Sequence, residues 1–180
     1  PPGTNRDLPF QEFELGQTVA IADRELTWKQ WSLFDQGFKR TNWTRQFKRN
    51  LTDNDPAFGI NWYEAVDFCR WLTPMMGLPE RAHCYDQRPN LPRDADGQPR
   101  YERVSLDAGG VRLPTSFEWE VACRGGTTTG YPHGSDPGIL GAYSWYQDDS
   151  NEWSHPVAQL RPSHIGLYDM LGNLSEWCQD

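Results

Sequence analysis

Three times along the chain, polar loop-like sequence gives way to apolar residues recurring every three or four positions, and each time the switch opens on the same device. A Thr or Asn is followed three residues later by Gln or Glu. This capping box predicts a helix start, because the first side chain accepts a bond from the third residue's N–H and the third side chain returns one. Thr27-Trp28-Lys29-Gln30 predicts a short helix with Trp28, Trp31 and Phe34 on one face, and "TVAIA" before it alternates Val19 and Ile21 as a half-buried strand would. Asn61-Trp62-Tyr63-Glu64 predicts a second helix, with Trp62, Val66, Cys69 and Leu72 inward and Pro74 as its stop. Thr115-Ser116-Phe117-Glu118 predicts a third, with Val121 one turn after Phe117 and "RGG" at 124–126 as its end. Cys69 and Cys123 therefore read as helical core residues.

Between the second and third helices, "PERAHCYDQRPNLPRDADGQPRYERVSLDAGG" is rich in Pro, Asp, Arg and Gly with little period, which predicts a surface insertion over 75–110. After residue 126 only turns and aromatics follow, and no repeat or boundary divides residues 1–180 into more than one domain. The 9 Trp, 16 Gly and 14 Pro favour rigid side chains wedged between turns over long regular elements. The expected fold class is an irregular, loop-rich α+β fold.

No window approaches the ~18 apolar residues of a membrane span, and the first residues lack a signal-peptide pattern, so the expectation is a cytoplasmic protein off the membrane. The opening "PPGT" resembles the end of a linker. A net charge of -8 argues against nucleic acid or an anionic membrane as partner. The acidity is concentrated, since residues 131–180 hold seven acids against Arg161 alone. Four cysteines without CxxC spacing exclude a disulfide scaffold, a zinc cluster or a thioredoxin-type pair. The histidines form no HExxH, and no Ser-His-Asp arrangement or phosphate-binding glycine loop emerges.

Four segments in order, "NWYEAVDFCRWL", "VRLPTSFEWEVACRGG", "GAYSWY" with "HPVAQLRP", and "GLYDMLGNLSEWCQD", resemble the formylglycine-generating (sulfatase-modifying factor) family over roughly residues 13–180. The resemblance implies a variant of the C-type lectin fold with loops often fixed by calcium. That fold serves a copper-dependent oxidase that converts a sulfatase cysteine to formylglycine, iron-dependent sulfoxide synthases, and non-catalytic sensor or display modules. The oxidase's two close cysteines belong to "RGGSW"-like and "GFR"-like motifs that this sequence does not contain. Cys178 stands alone in its region, and copper(I) selects paired soft thiolates.

Calcium takes several hard oxygens, which acidic loops supply. Matched to the family's "GN.WEW" segment, the implied ligands are Gly172, Asn173, Leu174 and Glu176, with Ser175 in place of the usual Trp. Glu176, between apolar neighbours, reads as a metal ligand or a buried hydrogen-bond partner. A second family site is weakened because Trp145 occupies its Asn position, where Asp149, beside Asp148, compensates or simply forms a solvated turn. Trp145 and Trp153 are the aromatic candidates for a ligand-binding surface. The resemblance thus implies a non-catalytic ligand- or protein-binding domain with structural calcium. The alternative is the copper oxidase, its active cysteines supplied from outside this chain. The partner expected is another protein or a further part of the same polypeptide.

Overall fold

Each capping box caps a helix. The computed structural model describes residues 18–86, 92, 93, 95, 97, 104–146 and 153–180. Among these the helices are α1 (Trp28–Asp35), α2 (Phe38–Phe47), α3 (Trp62–Met75) and α4 (Ser116–Arg124), with 3-10 turns at Glu80–Ala82 and Pro137–Ala142. At α1 the Thr27 N–H donates to Gln30 Oε1 at 2.9 Å. At α3 Asn61 and Glu64 exchange bonds of 2.8 and 3.0 Å, and at α4 Thr115 and Glu118 exchange bonds of 2.8 and 3.1 Å. Gly125, in the left-handed region at φ 56°, ends α4 where "RGG" predicts it. Pro74 sits one residue inside α3 rather than ending it.

The structure departs from the sequence reading elsewhere as well. Residues 18–22 form no strand: Val19 and Ile21 alternate with exposed neighbours, but the only strand pairings among the described residues are isolated bridges elsewhere. A half-buried alternation without a neighbouring ladder stays extended coil. The helix α2 has no counterpart in the sequence reading, because "FKRTNWTRQF" is polar on most sides and Gly37 caps it without a side-chain bond. Trp43 anchors it, stacked on Phe47 at 5.2 Å and tilted on Phe58 at 5.7 Å. Gly59 (φ 66°) lies against that indole, where a Cβ would stand 2.3 Å from the ring.

α3 is the wall shared by two cores. Its Phe68, with Trp71 and Leu72 alongside, packs on Trp28, Trp31 and Leu51. Its Val66 and Cys69 pack on Cys84 and Tyr85. The first core is aromatic, with Trp31 stacked on Phe68 at 5.4 Å and Trp28 edge-on to Phe58 at 5.5 Å. Ala82, Cys84, Tyr85 and Asp86 are buried, so the stretch read as a surface insertion starts exposed at Met75 and Met76 and then passes into the core. A third cluster joins Cys123 of α4 to Leu167 and Met170. On α4 the inward face is Trp119, Ala122 and Cys123, while Phe117 is exposed. The described part of the fold is irregular, loop-rich and mainly helical, and none of its helices is long and apolar enough to cross a membrane.

A buried ion pair holds the start of α4. Both Arg112 and Glu118 side chains are 9% exposed, and the guanidinium forks onto the carboxylate with two contacts of 2.6 Å. The Arg112 bond, the largest influence, holds the Glu118 carboxyl down to about 2 against its ordinary 4.5. Breaking such a pair leaves an uncompensated buried charge, so Glu118→Gln is expected to cost about 3–5 kcal/mol by urea denaturation. A cost below about 1 kcal/mol, the ordinary worth of an exposed pair, would contradict a buried role. A depressed carboxyl contributes stability that is complete above the unfolded pKa and lost as pH falls through the folded one. The wild type should therefore lose this contribution between about 4.5 and about 2, and Glu118→Gln should lack it. In the aromatic core, Trp31→Ala is expected to cost about 3–5 kcal/mol, whereas Leu33→Ala, at a position 70% exposed, should change stability by under about 0.5 kcal/mol.

Candidate functional site

The segment 166–180 is tied down at nearly every residue. Three non-glycine residues in and beside it adopt the left-handed region: Ala158 (φ 58°), Asp169 (φ 59°) and Asn173 (φ 64°). Asn and Asp tolerate this conformation better than other residues, and at both positions the side chain then bonds back to neighbouring backbone. Asn173 does most. Its Oδ1 accepts from the His155 N–H at 2.8 Å, and its Nδ2 donates to the His155 carbonyl at 3.1 Å and to Glu25 Oε2 at 2.7 Å. Its own N–H donates to the Trp145 carbonyl at 2.9 Å. The Leu174 N–H donates to the other Glu25 oxygen at 2.9 Å.

Beyond Glu176, side chains from distant elements hold the backbone. The Trp62 indole donates to the Cys178 carbonyl at 2.9 Å, and Tyr85 donates to Gln179 Oε1 at 2.7 Å. The Asp180 carboxylate accepts from the Ser116 N–H at 2.7 Å and its hydroxyl at 2.8 Å, at the first residue of α4, where the helix dipole favours an anion. Trp177 donates to the Ile60 carbonyl at 2.7 Å while its ring remains 50% exposed.

Three carboxylates converge electrostatically on this loop. Burial pushes Glu25 up to about 8, against the bond from Asn173, and the charges of Asp169 and Glu176 push it further. Asp169 is 4% exposed and is also raised, chiefly by burial. Its Oδ2 accepts from the Ala158 N–H at 2.7 Å, while its Oδ1 is buried without a partner among the described residues. Glu176 is exposed as a residue, yet protein crowds its carboxylate. That desolvation raises its pKa, with the Asp169 charge adding to it and the Trp119 bond opposing it. Glu176 Oε2 accepts from the Trp119 indole at 2.6 Å, and Oε1 accepts nothing among the described residues.

Of the residues expected to hold calcium, Gly172, Asn173, Leu174 and Glu176 thus share one pinned turn. The Asn173 side chain is committed to protein partners, which leaves its carbonyl as its metal-capable oxygen. Gly172 admits no side chain: a Cβ there would stand 2.1 Å from the Trp145 carbonyl oxygen and 2.5 Å from Ser144 Oγ. Asp149 lies outside the described residues. Trp145 is part-buried and lies flat on the His155 ring, with centroids 3.8 Å apart. Trp153 is 44% exposed, with the Arg49 guanidinium over its face at 5.3 Å and Phe47 at its edge at 5.6 Å. The sequence reading missed Glu25 and Asp169. Asp169 carried a signal, standing three residues before Gly172, whereas Glu25 is 148 residues from the amide it holds.

All four cysteines are free thiols. Burial pushes Cys69 up to about 12 and Cys123 up to about 11. Cys178, half-buried, is raised by burial and by the charges of Asp180 and Glu176. Among the described residues no three His, Cys, Asp or Glu side chains cluster closely enough to hold a metal by themselves. A cation in the turn would need backbone carbonyls as well as carboxylates.

A family model described as the sulfatase-modifying factor enzyme 1-like domain matches residues 3–180. The chain is similar to the serine/threonine-protein kinase pkn1 of Chlamydia pneumoniae, at 43% identity over 126 residues that cover 69% of this chain and 14% of the kinase. It is similar to the formylglycine-generating enzyme of Thermomonospora curvata, at 36% identity over 165 residues that cover 79% of this chain and 51% of the enzyme. The chain therefore spans about half of that enzyme's length and a smaller share of the kinase. Among solved structures, Treponema denticola variable protein 1 matches with a TM-score of 0.66 and 25% identity, over 86% of this chain and 59% of the other. With a family model matched over nearly its whole length, this chain belongs to the sulfatase-modifying factor enzyme 1-like family.

Proposed function

We propose that this chain is a non-catalytic binding domain, a sensor or display module, whose C-terminal turn is organised by a structural calcium ion in a C-type lectin-like scaffold. The observation that carries the calcium reading is Asp169: a buried carboxylate with one oxygen that no donor among the described residues meets, and whose charge acts on Glu176. Such a group costs free energy unless something unaccounted for satisfies it. The donors fit a hard divalent cation, which Asp169 and Glu176 would hold together with the carbonyls of Gly172 and Leu174. A bound cation would offset the repulsion that adds to the raised Glu25 and Glu176 and the burial cost that raises Asp169.

The binding reading rests on Cys69, Cys123 and Cys178, which are raised rather than lowered, and on the burial of Cys69, Cys84 and Cys123, the opposite of what a nucleophile or copper ligand needs. The small share of the kinase that this chain matches suits an accessory module. The exposed rings of Trp177 and Trp153 supply apolar surface for a protein partner, whether a separate chain or another part of the same polypeptide. A second reading, the formylglycine-generating oxidase, is favoured by the 36% identity to the Thermomonospora enzyme. It requires copper-binding cysteines from outside this chain. Conversion of the cysteine of a sulfatase peptide to an aldehyde by the copper-loaded full-length protein, read by mass spectrometry, would establish it over the first.

Chelator should lower the melting temperature by roughly 5–10 °C from its value with calcium at about 100 times Kd. Calcium should restore it and magnesium should not. Asp169→Asn and Glu176→Gln should each abolish the response. An unchanged melting curve in the wild type would refute the calcium site.

A further inference from the structure

The cations of this acidic chain are not spread evenly. From Gln36 to Thr52 it carries Lys39, Arg40, Arg45, Lys48 and Arg49 and no acid, against a net charge of -8 overall. Residues elsewhere neutralise three of the five: Lys39 bonds Glu64 at 2.6 Å, Arg40 bonds Asp53 at 2.5 Å, and Arg49 lies 3.6 Å from Asp55. Arg45 and Lys48 have no ion pair or hydrogen bond among the described residues.

Arg45 borders a groove of about 450 Å³ between the end of α1, the body of α2 and the turn at Asn50. Its walls include Ser32, Arg40, Thr41, Thr44, Arg45 and Asn50, and no acidic residue lines it. Several donors there are uncommitted. The Thr44 hydroxyl, the Asn50 amide and the whole Arg45 guanidinium have no partner among the described residues. Arg40 spends three N–H groups on Leu51 and Asp53 and keeps two. Ser32 Oγ is buried at the groove wall without a partner among the described residues, and a χ1 rotation between staggered wells re-aims it.

We infer that this groove binds a phosphate monoester, with the Arg45 guanidinium as its principal anchor. A carboxylate has two oxygens to offer, whereas a phosphate monoester dianion has three and meets the uncompensated Arg45 and the partly committed Arg40 that line the groove. A guanidinium fork, a second partly committed guanidinium, two hydroxyls and an amide form the mixed donor set that phosphate oxygens accept from. The groove exceeds the volume of a phosphate group, which leaves room for the carrier. The competing role for Arg45 is to complement the C-terminal dipole of α2, in whose last turn it lies. A point charge serves that role as well as a fork does.

The test titrates inorganic phosphate into the whole chain at low ionic strength, followed by backbone amide shifts, with chloride of equal ionic strength as control. Saturable shifts centred on Ser32, Thr44, Arg45 and Asn50 are expected. Arg45→Gln and Thr44→Val should each weaken binding, the former by about tenfold or more, and Arg45→Lys should restore only part of it. Shifts matched by chloride, spread over all surface cations, or unchanged in Arg45→Gln would overturn the site. So would full affinity in Arg45→Lys, which would mark a charge effect alone. A phosphoserine peptide and a hexose 6-phosphate run alongside identify the source. Tighter binding of either than of inorganic phosphate supports the inference, and binding of neither overturns it.

Discussion

The Asn173 side chain is the contact on which the C-terminal half depends. One amide holds residue 25, residue 155 and the turn at 172–174 together, across sequence separations of 148 and 18 residues. In a sheet protein, ladders would supply such long-range backbone partners. Here, among the described residues, strand pairing is confined to isolated bridges, so loop N–H and C=O groups must find side chains instead. Asp169 serves the Ala158 N–H and Tyr85 serves the Leu113 N–H in the same way. The Thr73 hydroxyl likewise meets the Val111 N–H. A loop-rich fold of this kind replaces repetition with specific polar residues, each satisfying a backbone group that would otherwise be buried unpaired.

Helix α3 plays the matching part for the apolar side. It is the longest helix described, and both aromatic and thiol-lined cores lean on it, while its first residue, Trp62, bonds the Cys178 carbonyl. Positioning of the C-terminal segment is therefore coupled to core packing rather than to local turn chemistry. The buried Arg112–Glu118 pair extends the coupling. It fixes the start of α4, and the first residue of that helix receives Asp180.

What could be read from the sequence follows the range of the interactions. The three capped helices were legible because a capping box and its apolar stripe lie within one or two turns, and each box closes as expected. Helix α2 was not, since its anchors, Trp43 and Phe47, pack against Phe58 and Gly59, which lie outside the helix. The alternation at Val19 and Ile21 reported burial correctly but not pairing, because a strand needs a partner that local sequence does not reveal. In the C-terminal turn, Gly172, Asn173, Leu174 and Glu176 drew notice because they lie within five residues of one another, whereas the carboxylate that meets the turn, Glu25, carries no local mark. Phe117 illustrates the converse error. Its spacing to Val121 suggests an apolar face, yet the buried residue beside it is the charged Glu118, inward because Arg112 meets it.

One field sets the chemistry available at the C-terminal turn. The Glu176 charge that helps to raise Glu25 also helps to raise Cys178, where burial acts first and the Asp180 charge adds to it. A thiolate there would add another negative charge to a region already short of compensation, whereas a hard cation would be attracted by every group present. Reactive cysteines call for an electropositive, accessible setting, and this turn is the reverse. On the calcium reading proposed above, Glu176, whose charge disfavours a thiolate at Cys178, is also one of the two carboxylates that would ligate the cation, so one negative charge would bear on both.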